Sequence, residues 1–172
     1  GEDLELVEAA ARRIVRERGA FRADQFNLEG ALTAHYRHTG PEFWEQSGGA
    51  IDAFCDFAGT GGTFSGTARY LKEKNPSIRC WVIEPEGAAA LAGGDLVRPG
   101  HRIQGGGYSR VPADLRHFDP SVCDGFLTVS DEESIETARE LATVEGIFAG
   151  FSSGANVACA LRLLEGPCRG QA

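Results

Sequence analysis

Hydrophobic positions recur at two spacings along this chain, and the two spacings alternate. Apolar residues three and four apart, as at Leu4, Val7 and Ala10, are typical of a helix with one buried face. Short apolar runs are typical of buried strands. The predicted helices are 3–18, 27–39, 63–74, one from 130 onward and 155–164, and the predicted strands are 51–57, 79–83 and 125–129. This alternation indicates an α/β fold with a mostly parallel sheet and helices on both faces.

The boundaries of these elements carry recognisable start and stop signals. A short extended piece is expected over 21–26, and Gly40-Pro41 is expected to end the second helix before a further short one. Ser130 followed by Glu133 predicts a capping box. The last helix is expected to open at Ser152, which could serve either as a cap or as a site residue.

The glycine-rich turn 59–63 lies between the first predicted strand and the helix that follows it. Glycines let the backbone turn tightly and bring its N–H groups close to a ligand, while the helix adds the positive end of its dipole. A strand, a glycine turn and a helix start in this order predict an anion site, most often for a phosphate. A tight connection without a ligand is the alternative.

The residues around the turn limit which phosphate-containing ligands it could bind. No lysine follows the glycines, so the Walker pattern is excluded. The dinucleotide fingerprint begins at Gly59 and Gly61 but meets Phe64 where its third glycine is required. Glu84, at the end of the next strand, stands where a ribose-binding acid is expected, which keeps a nucleotide site open. The other interpretation of Glu84 is a strand-end carboxylate that faces solvent.

Charge and composition exclude several classes of partner. The 172 residues include 25 acids and 17 bases, interspersed, for a formal charge of −8. Without a basic stripe, nucleic acid and anionic membranes are poor partners. No apolar run approaches the ~20 residues of a transmembrane helix and no signal-peptide pattern is seen, so a cytoplasmic protein is expected.

The cysteines and histidines give no metal-binding pattern. The five cysteines are Cys55, Cys80, Cys123, Cys159 and Cys168. Their wide spacing predicts reduced, mostly buried thiols. His35 and His38 could share a helix face, but without a third ligand we assign them to a surface helix and expect no metal.

The stretch 87–107 is rich in glycine and alanine and shows little periodicity, which is typical of a functional loop. It leads into 104–108, where three consecutive glycines suit close approach to a ligand. A flexible lid is the alternative. Because ligands of such sheets lie beyond the carboxyl ends of the strands, the turn 59–63, the loop 104–108 and Ser152 are expected to meet in one crevice.

Six short motifs occur in order along the chain. They are Gln25-Phe26, Thr39-Gly40-Pro41-Glu42, Gly59-Thr60-Gly61-Gly62-Thr63, Glu84-Pro85, Gln104-Gly105 and Gly150-Phe151-Ser152-Ser153-Gly154-Ala155. Each is weak alone, but their order and intervals resemble the cysteine synthase and cystathionine β-synthase family of pyridoxal-phosphate enzymes, fold type II. The resemblance covers the chain from Val7 to about Leu164.

The resemblance implies pyridoxal 5′-phosphate as cofactor and a role for each motif. The implied cofactor-binding residues are Gly59, Thr60, Gly61, Gly62, Thr63 and Ser152, and the implied substrate-loop residues are Gln104, Gly105 and Gly107. The turn would bind the phosphate, and the Ser152 hydroxyl would bind the pyridine nitrogen. The implied reaction is β-replacement on an amino acid such as O-acetylserine or serine, with sulfide giving cysteine, in a parent enzyme that is a homodimer.

The chain departs from the family pattern in what it lacks. The family's Schiff-base lysine and its Thr/Ser-Gly-Asn substrate loop do not occur, and the only lysines are Lys72 and Lys74 on a predicted exposed helix. The resemblance is therefore to an incomplete fold type II architecture. Residues 1–40 correspond to the last helix and strand of the small domain with a connection, 41–164 to part of the large cofactor domain, and 165–172 to a tail. No catalytic residue is expected in this chain, which alone is expected to be inactive.

Other functions remain open alongside cysteine synthesis. Cystathionine synthesis and cysteine desulfhydration lie within the family, and the loop sequence does not separate them. A non-catalytic remnant that binds the cofactor or a partner is favoured by the missing lysine. A nucleotide-binding domain rests on Gly59, Gly61 and Glu84.

Overall fold

The computed structural model describes residues 4–98, 100–108 and 115–170. The helices are α1 (Leu4–Arg18), α2 (Gly30–Ala34), α3 (Gly40–Gln46), α4 (Gly62–Lys74), α5 (Asp131–Val144) and α6 (Phe151–Glu165). The strands are β1 (Ala53–Phe57), β2 (Arg79–Pro85) and β3 (Gly125–Val129). A π-helical turn, His35–Thr39, joins α2 to α3, and a 3-10 turn, Pro120–Val122, precedes β3. Asp3, the predicted start of the first helix, lies outside the described residues.

The three strands form one parallel sheet in the order β1-β2-β3. In this register Trp81 of β2 lies beside Gly125 of β3. A Cβ at residue 125 would collide with the Trp81 ring, so glycine is required where β3 begins. The three predicted strands and their parallel arrangement are confirmed.

Each face of the sheet packs against a different helix. On one face, Phe64, Ala68 and Leu71 of α4 pack with Cys80 and Val82 of β2. On the other face, residues of α6 pack with alternate strand residues; they are Ala155, Ala158, Cys159, Phe57, Ile83 and Val129. The predicted α/β class, with helices on both faces of a parallel sheet, is therefore confirmed.

The segment from α2 to α3 departs from the prediction at Gly40-Pro41. Helical structure continues through both residues, so the predicted stop is wrong. Pro41 falls in the first turn of α3, where its missing N–H costs little. Gly40 is required by packing, because a Cβ there would lie 2.7 Å from Cβ of Tyr70 on α4. Tertiary contact with α4, rather than local stop signals, decides this segment.

Three further boundaries differ from the sequence prediction. Residues 21–26 form no strand; the chain instead turns where the N–H groups of Asn27 and Leu28 donate to the carbonyl of Asp24. The capping box is half formed, because Ser130 Oγ accepts the Glu133 N–H while the Glu133 carboxylate pairs with Arg162. Helix α6 begins at Phe151 rather than at 155, after Gly150 as its N-cap.

Disulfides, metal ligands and membrane-spanning helices were not expected from the sequence. All five cysteines are free thiols, as predicted. The described residues contain no cluster of three histidine, cysteine or acidic side chains that could hold a metal ion. Among those same residues, no helix combines the length and apolarity needed to cross a bilayer.

Candidate functional site

The glycine turn between β1 and α4 is held in place by backbone contacts on two sides. Gly61 adopts a left-handed conformation with φ +83°, and a Cβ there would lie 2.8 Å from the backbone nitrogen of Phe118. A Cβ at Gly59 would lie 3.1 Å from the carbonyl oxygen of Gly105. Gly61 is therefore required, because another backbone segment approaches closely, and the Gly105 backbone leaves little room for a side chain at Gly59.

The turn leads directly into α4, whose first residue is Gly62. The first N–H groups of a helix have no partner within it, and they carry the positive end of the helix dipole. One of them, that of Gly62, is already bonded to Thr60 Oγ1 at 3.3 Å. Thr60 Oγ1 accepts this bond, so its own hydrogen stays available to a ligand. The site can thus offer both backbone N–H groups and threonine hydroxyls to an anion.

A cleft of about 190 Å³ opens beside this turn. Its lining residues are Gln25, Asp56, Phe57, Gly59, Thr60, Gly61, Thr63, Gly105 and Tyr108. Four of the five predicted turn residues thus share one cleft with one of the three predicted loop residues. Gly62 does not line it and instead faces α2, because a Cβ there would lie 3.6 Å from the backbone nitrogen of Leu32.

The three-glycine segment is anchored to the ends of the strands. The Gly107 N–H donates to the Ala58 carbonyl at 2.8 Å, and His101 Nε2 lies 2.7 Å from the Gly107 carbonyl oxygen. A Cβ at Gly106 would lie 2.6 Å from the same Ala58 oxygen. These contacts contradict the flexible-lid alternative. They leave Gly105 facing the cleft, whereas Gly107 is buried and Gln104 is exposed outside the cleft lining.

Ser152 lies in the first turn of α6, near the same loop. A Cβ on Gly105 would be 3.8 Å from Ser152 Oγ, so the hydroxyl faces the glycine that lines the cleft. The N-cap of α6 is Gly150, and α6 has no side-chain capping bond. The capping interpretation of Ser152 is therefore wrong. Within the described residues, its hydroxyl has no hydrogen-bond partner.

Asp56 is a charged residue inside the apolar strand β1, and it lines the cleft. Burial raises the pKa of Asp56 to about 7, and a hydrogen bond from Asn156 opposes this rise. Asn156 also accepts the N–H of Phe57 at 2.7 Å, which satisfies a backbone donor of the edge strand. A carboxyl group that exchanges its proton near neutral pH therefore lies beside the glycine turn.

Glu84 has a structural role that the sequence does not indicate. It is only 3% exposed, and its carboxylate accepts the N–H groups of Leu91 and Ala92 at 2.8 and 2.9 Å. The interpretation of Glu84 as a solvent-facing carboxylate is wrong. Since both oxygens already hold the loop after β2, the acid on which the nucleotide alternative depends is not available to a ribose.

The two lysines lie outside the cleft lining. Lys72 Nζ pairs with Asp124 at 2.7 Å and donates to the Ile78 carbonyl at 2.9 Å. Lys74 Nζ lies over the Tyr70 ring, 5.2 Å from its centre. Both side chains are thus engaged along the C-terminal part of α4, away from the glycine turn at its start.

Four residues of the cleft lining, Gln25, Asp56, Phe57 and Tyr108, are not among the site residues predicted from the sequence. Gln25 belongs to a recognised motif but received no role, and Tyr108 packs edge-on against Phe26 with ring centres 5.5 Å apart. Asp56 had a visible signal, because a charged residue interrupts the apolar run just before the turn. Tyr108 belongs to the loop 104–108 that is predicted to meet the turn, whereas the position of Gln25 in the cleft depends on tertiary packing and has no local sequence signal.

Comparisons with known proteins agree with this geometry. The family model described as "Pyridoxal-phosphate dependent enzyme" matches residues 1–170. Cysteine synthase 3 of Caenorhabditis elegans is 41% identical over 144 residues, which is 84% of this chain and 41% of that protein. Cysteine synthase A of Escherichia coli K12 is 40% identical over 82% of this chain and 45% of that protein. The chain thus spans somewhat less than half the length of these relatives.

Solved structures show the same likeness. O-ureido-L-serine synthase superposes with a TM-score of 0.83 at 36% identity, over 92% of this chain and 49% of that one. Cysteine synthase from Entamoeba histolytica superposes with a TM-score of 0.82 at 32% identity, over 94% of this chain and 46% of that one. Both cover nearly all of this chain.

Proposed function

Because the chain belongs to the family of pyridoxal-phosphate dependent enzymes, with the fold type II architecture and pyridoxal 5′-phosphate as cofactor, we propose that it supplies the phosphate-binding part of a cysteine synthase-like enzyme. The parent reaction would be β-replacement on O-acetylserine or serine, with sulfide as the nucleophile. The observation that carries this proposal is the cleft at the start of α4, which Gly59, Thr60, Gly61 and Thr63 line.

The residues present fit the cofactor phosphate. The turn offers unpaired helix N–H groups, and Gly61 lets it lie directly against the backbone of Phe118. Thr60 and Thr63 add hydroxyl donors at the rim. When bound, the cofactor supplies an electron sink for carbanion chemistry at the amino acid. The chain itself would bind the phosphate, orient the ring through Ser152 and leave Gly105 close to the ring.

The roles of the individual residues follow from their positions. Gly59, Thr60, Gly61 and Thr63 would hold the phosphate, whereas Gly62 would contribute by closing the turn through its bond to Thr60. Gly105 would line the substrate side, and Gln104 and Gly107 would act by shaping that loop. The parent enzyme would be a homodimer. Its amino-acid substrate would reach the cofactor through the cleft. The charge of −8 gives no support for nucleic acid as a partner.

Cofactor titration tests the phosphate site directly. Pyridoxal 5′-phosphate binding, followed by absorbance or by quenching of protein fluorescence, should weaken about tenfold in Thr60→Ala and in Thr63→Ala, since each loses a bond to a charged group of roughly 1.5 kcal/mol. Thr143→Ala is the matched control, because Thr143 bonds only within α5. Unchanged affinity in both cleft variants would place the phosphate elsewhere.

A second candidate function is a non-catalytic domain that binds the cofactor or a partner. It is favoured because both lysines are engaged outside the cleft. Borohydride treatment with the cofactor, followed by mass spectrometry, should attach no cofactor stoichiometrically to Lys72 or Lys74. Stoichiometric attachment to either lysine would remove this candidate and identify the covalent residue. Cystathionine synthesis and cysteine desulfhydration stay as alternatives for the parent, to be separated by product analysis.

A further inference from the structure

The π-helical turn between α2 and α3 contacts the glycine turn 59–63, where the proposed anion would bind, through the side chain of His35. His35 Nε2 lies 3.2 Å from Thr63 Oγ1, and His35 Nδ1 lies 3.0 Å from Thr39 Oγ1. Both ring nitrogens are therefore engaged by hydroxyl groups, each of which can donate or accept a hydrogen bond. Thr63 lines the cleft, so the chain of contacts runs from Thr39 through the imidazole to the ligand site.

Helix packing fixes the position of the imidazole ring. Gly66 lies one helical turn after Thr63, and a Cβ there would be 2.9 Å from His35 Cβ and 2.5 Å from the Leu32 carbonyl oxygen. Glycine at 66 thus lets the π turn lie directly against α4. Such turns, in which the helix widens by one residue, occur frequently at functional sites. His38 is exposed, as expected of a surface helix, whereas the His35 ring is half-buried against α4.

The ring is neutral near physiological pH. Burial lowers the pKa of His35 below its usual value. A neutral imidazole has one N–H and one lone pair, so the two hydroxyls must take opposite roles. If Nε2 carries the hydrogen, Thr63 Oγ1 accepts from it and Thr39 donates to Nδ1. If Nδ1 carries the hydrogen, Thr63 donates to Nε2 instead.

The two tautomers differ in what Thr63 offers an anion. The dianion of a phosphate monoester, such as the cofactor phosphate, presents only acceptor oxygens, and so does sulfate. In the Nε2–H form, the Thr63 hydrogen is free to point into the cleft, and the hydroxyl can donate to the anion. In the Nδ1–H form, that hydrogen is spent on the ring, and an oxygen lone pair faces the anion. Binding an anion at the turn must therefore favour the Nε2–H form.

We infer that His35 is a positioning residue: in its Nε2–H tautomer it turns the Thr63 hydroxyl into a hydrogen-bond donor to the cofactor phosphate. The inference rests on the proposed function, because it requires an anion at the turn. His35 itself does not touch the reacting atoms and acts only through Thr63.

The test uses inorganic sulfate as the anion and the full chain near neutral pH. Nitrogen-15 NMR of the imidazole reports the tautomer, and the amide signals of Gly61 and Thr63 report occupancy of the turn. With sulfate, the Nε2 signal should move to the protonated type and Nδ1 to the unprotonated type. This readout belongs to the unmodified protein, so it needs no variant to fold.

Two substitutions of His35 distinguish the effect of its Nε2 hydrogen bond from the effect of side-chain size. His35→Gln places an amide N–H where Nε2 stands and should keep sulfate affinity within about twofold. His35→Asn reaches only the Nδ1 position, and affinity should fall about three- to tenfold, as expected for one oriented hydrogen bond. His38→Asn, an exposed change on the same turn, is the matched control and should leave affinity unchanged.

The possible results distinguish this inference from the proposed function. In Thr63→Val, adding His35→Asn should cause no further loss, because the hydroxyl that His35 orients is gone. Amide shifts at Gly61 and Thr63 without a tautomer change, or equal affinity for His35→Asn and the unmodified chain, would overturn the inference and leave the anion site intact. Absence of those amide shifts would overturn the anion site, and the inference with it.

Discussion

Replacing Asp56 by asparagine should change how the stability of the protein depends on pH. Asp56 lies in β1 beside the anion turn, where burial raises its pKa to about 7 from an ordinary value of about 3.9. The hydrogen bond from Asn156 offsets part of that rise. Asparagine keeps the size and hydrogen-bonding capacity of the side chain and removes only the ionisation.

The sign follows from proton binding. Between about pH 4 and pH 7, the folded protein holds a proton on Asp56 that the unfolded chain has released, so stability falls as the pH rises. The pKa difference is about 3, and each unit corresponds to about 1.36 kcal/mol, so the full loss is about 4 kcal/mol above pH 7. Below about pH 4 both states carry the proton, and Asp56 contributes no pH dependence.

Urea unfolding from pH 4 to pH 8, followed by the fluorescence of Trp44 and Trp81, measures this effect. Asp56→Asn should gain stability relative to the unmodified chain as the pH rises, by up to about 4 kcal/mol. Other titrating groups, such as Glu84, are common to both proteins and cancel in the difference. Asp95→Asn, an exposed loop change, is the control. Parallel stability curves for the Asp56 variant and the unmodified chain would refute the argument.

Five other substitutions test the geometry of the turn and the helices. Chemical denaturation should show that Gly93→Ala lowers the free energy of unfolding by about 1–2 kcal/mol, because it places an alanine in a left-handed conformation with open space around it. Gly61→Ala should lower it by more, because the added Cβ also collides with the backbone of Phe118. Gly66→Ala should lower stability despite the better helix propensity of alanine, and a rise in melting temperature would contradict the packing described. Ser130→Ala should lower the free energy of unfolding by about 1 kcal/mol, because the N-cap bond of α5 is lost. Ser152→Ala should lower it by less than about 0.5 kcal/mol and should also weaken cofactor binding. Equal losses of stability in the two variants would return Ser152 to a structural role.

The elements that the sequence predicted correctly are those with strong local patterns. The strands 79–83 and 125–129 are apolar and bounded by turn residues, and the helix over 63–74 follows a glycine turn. In each case local propensity and burial agree, so no tertiary information is needed. Ser130 was also predicted as a cap, because its side chain bonds a backbone N–H only three residues away.

The predictions that failed concern residues whose role is set by another segment. Gly40-Pro41 has the composition of a helix stop, but Gly40 lies against Tyr70 and the helix continues. His35 has the spacing of a surface residue, but the π turn and Gly66 direct it toward Thr63. Contacts between distant segments leave no periodic signal within either one, which is why local patterns could not predict them.

Part of the candidate site could be predicted because it lies in one contiguous segment of the chain. The turn 59–63 is a contiguous motif, and its link to a phosphate follows from backbone chemistry alone. The loop 104–108 and Ser152 were expected at the same crevice from the sheet topology, and the family resemblance added their roles. Neither source indicated that Asp56 would stand in the cleft, although its place in an apolar strand was a visible irregularity.

The glycines around the turn would allow the proposed anion to bind without a change in the backbone of the turn. Gly61 meets the backbone near Phe118, Gly59 meets that of Gly105, and Gly66 meets the π turn. Each contact comes from a different part of the chain, and each requires that no Cβ intervene. Their shared effect is rigidity, because the backbone N–H groups of the turn are held before a ligand arrives. Binding at the proposed site would then lose little conformational entropy, and a small set of preorganised donors would be enough to hold a charged group.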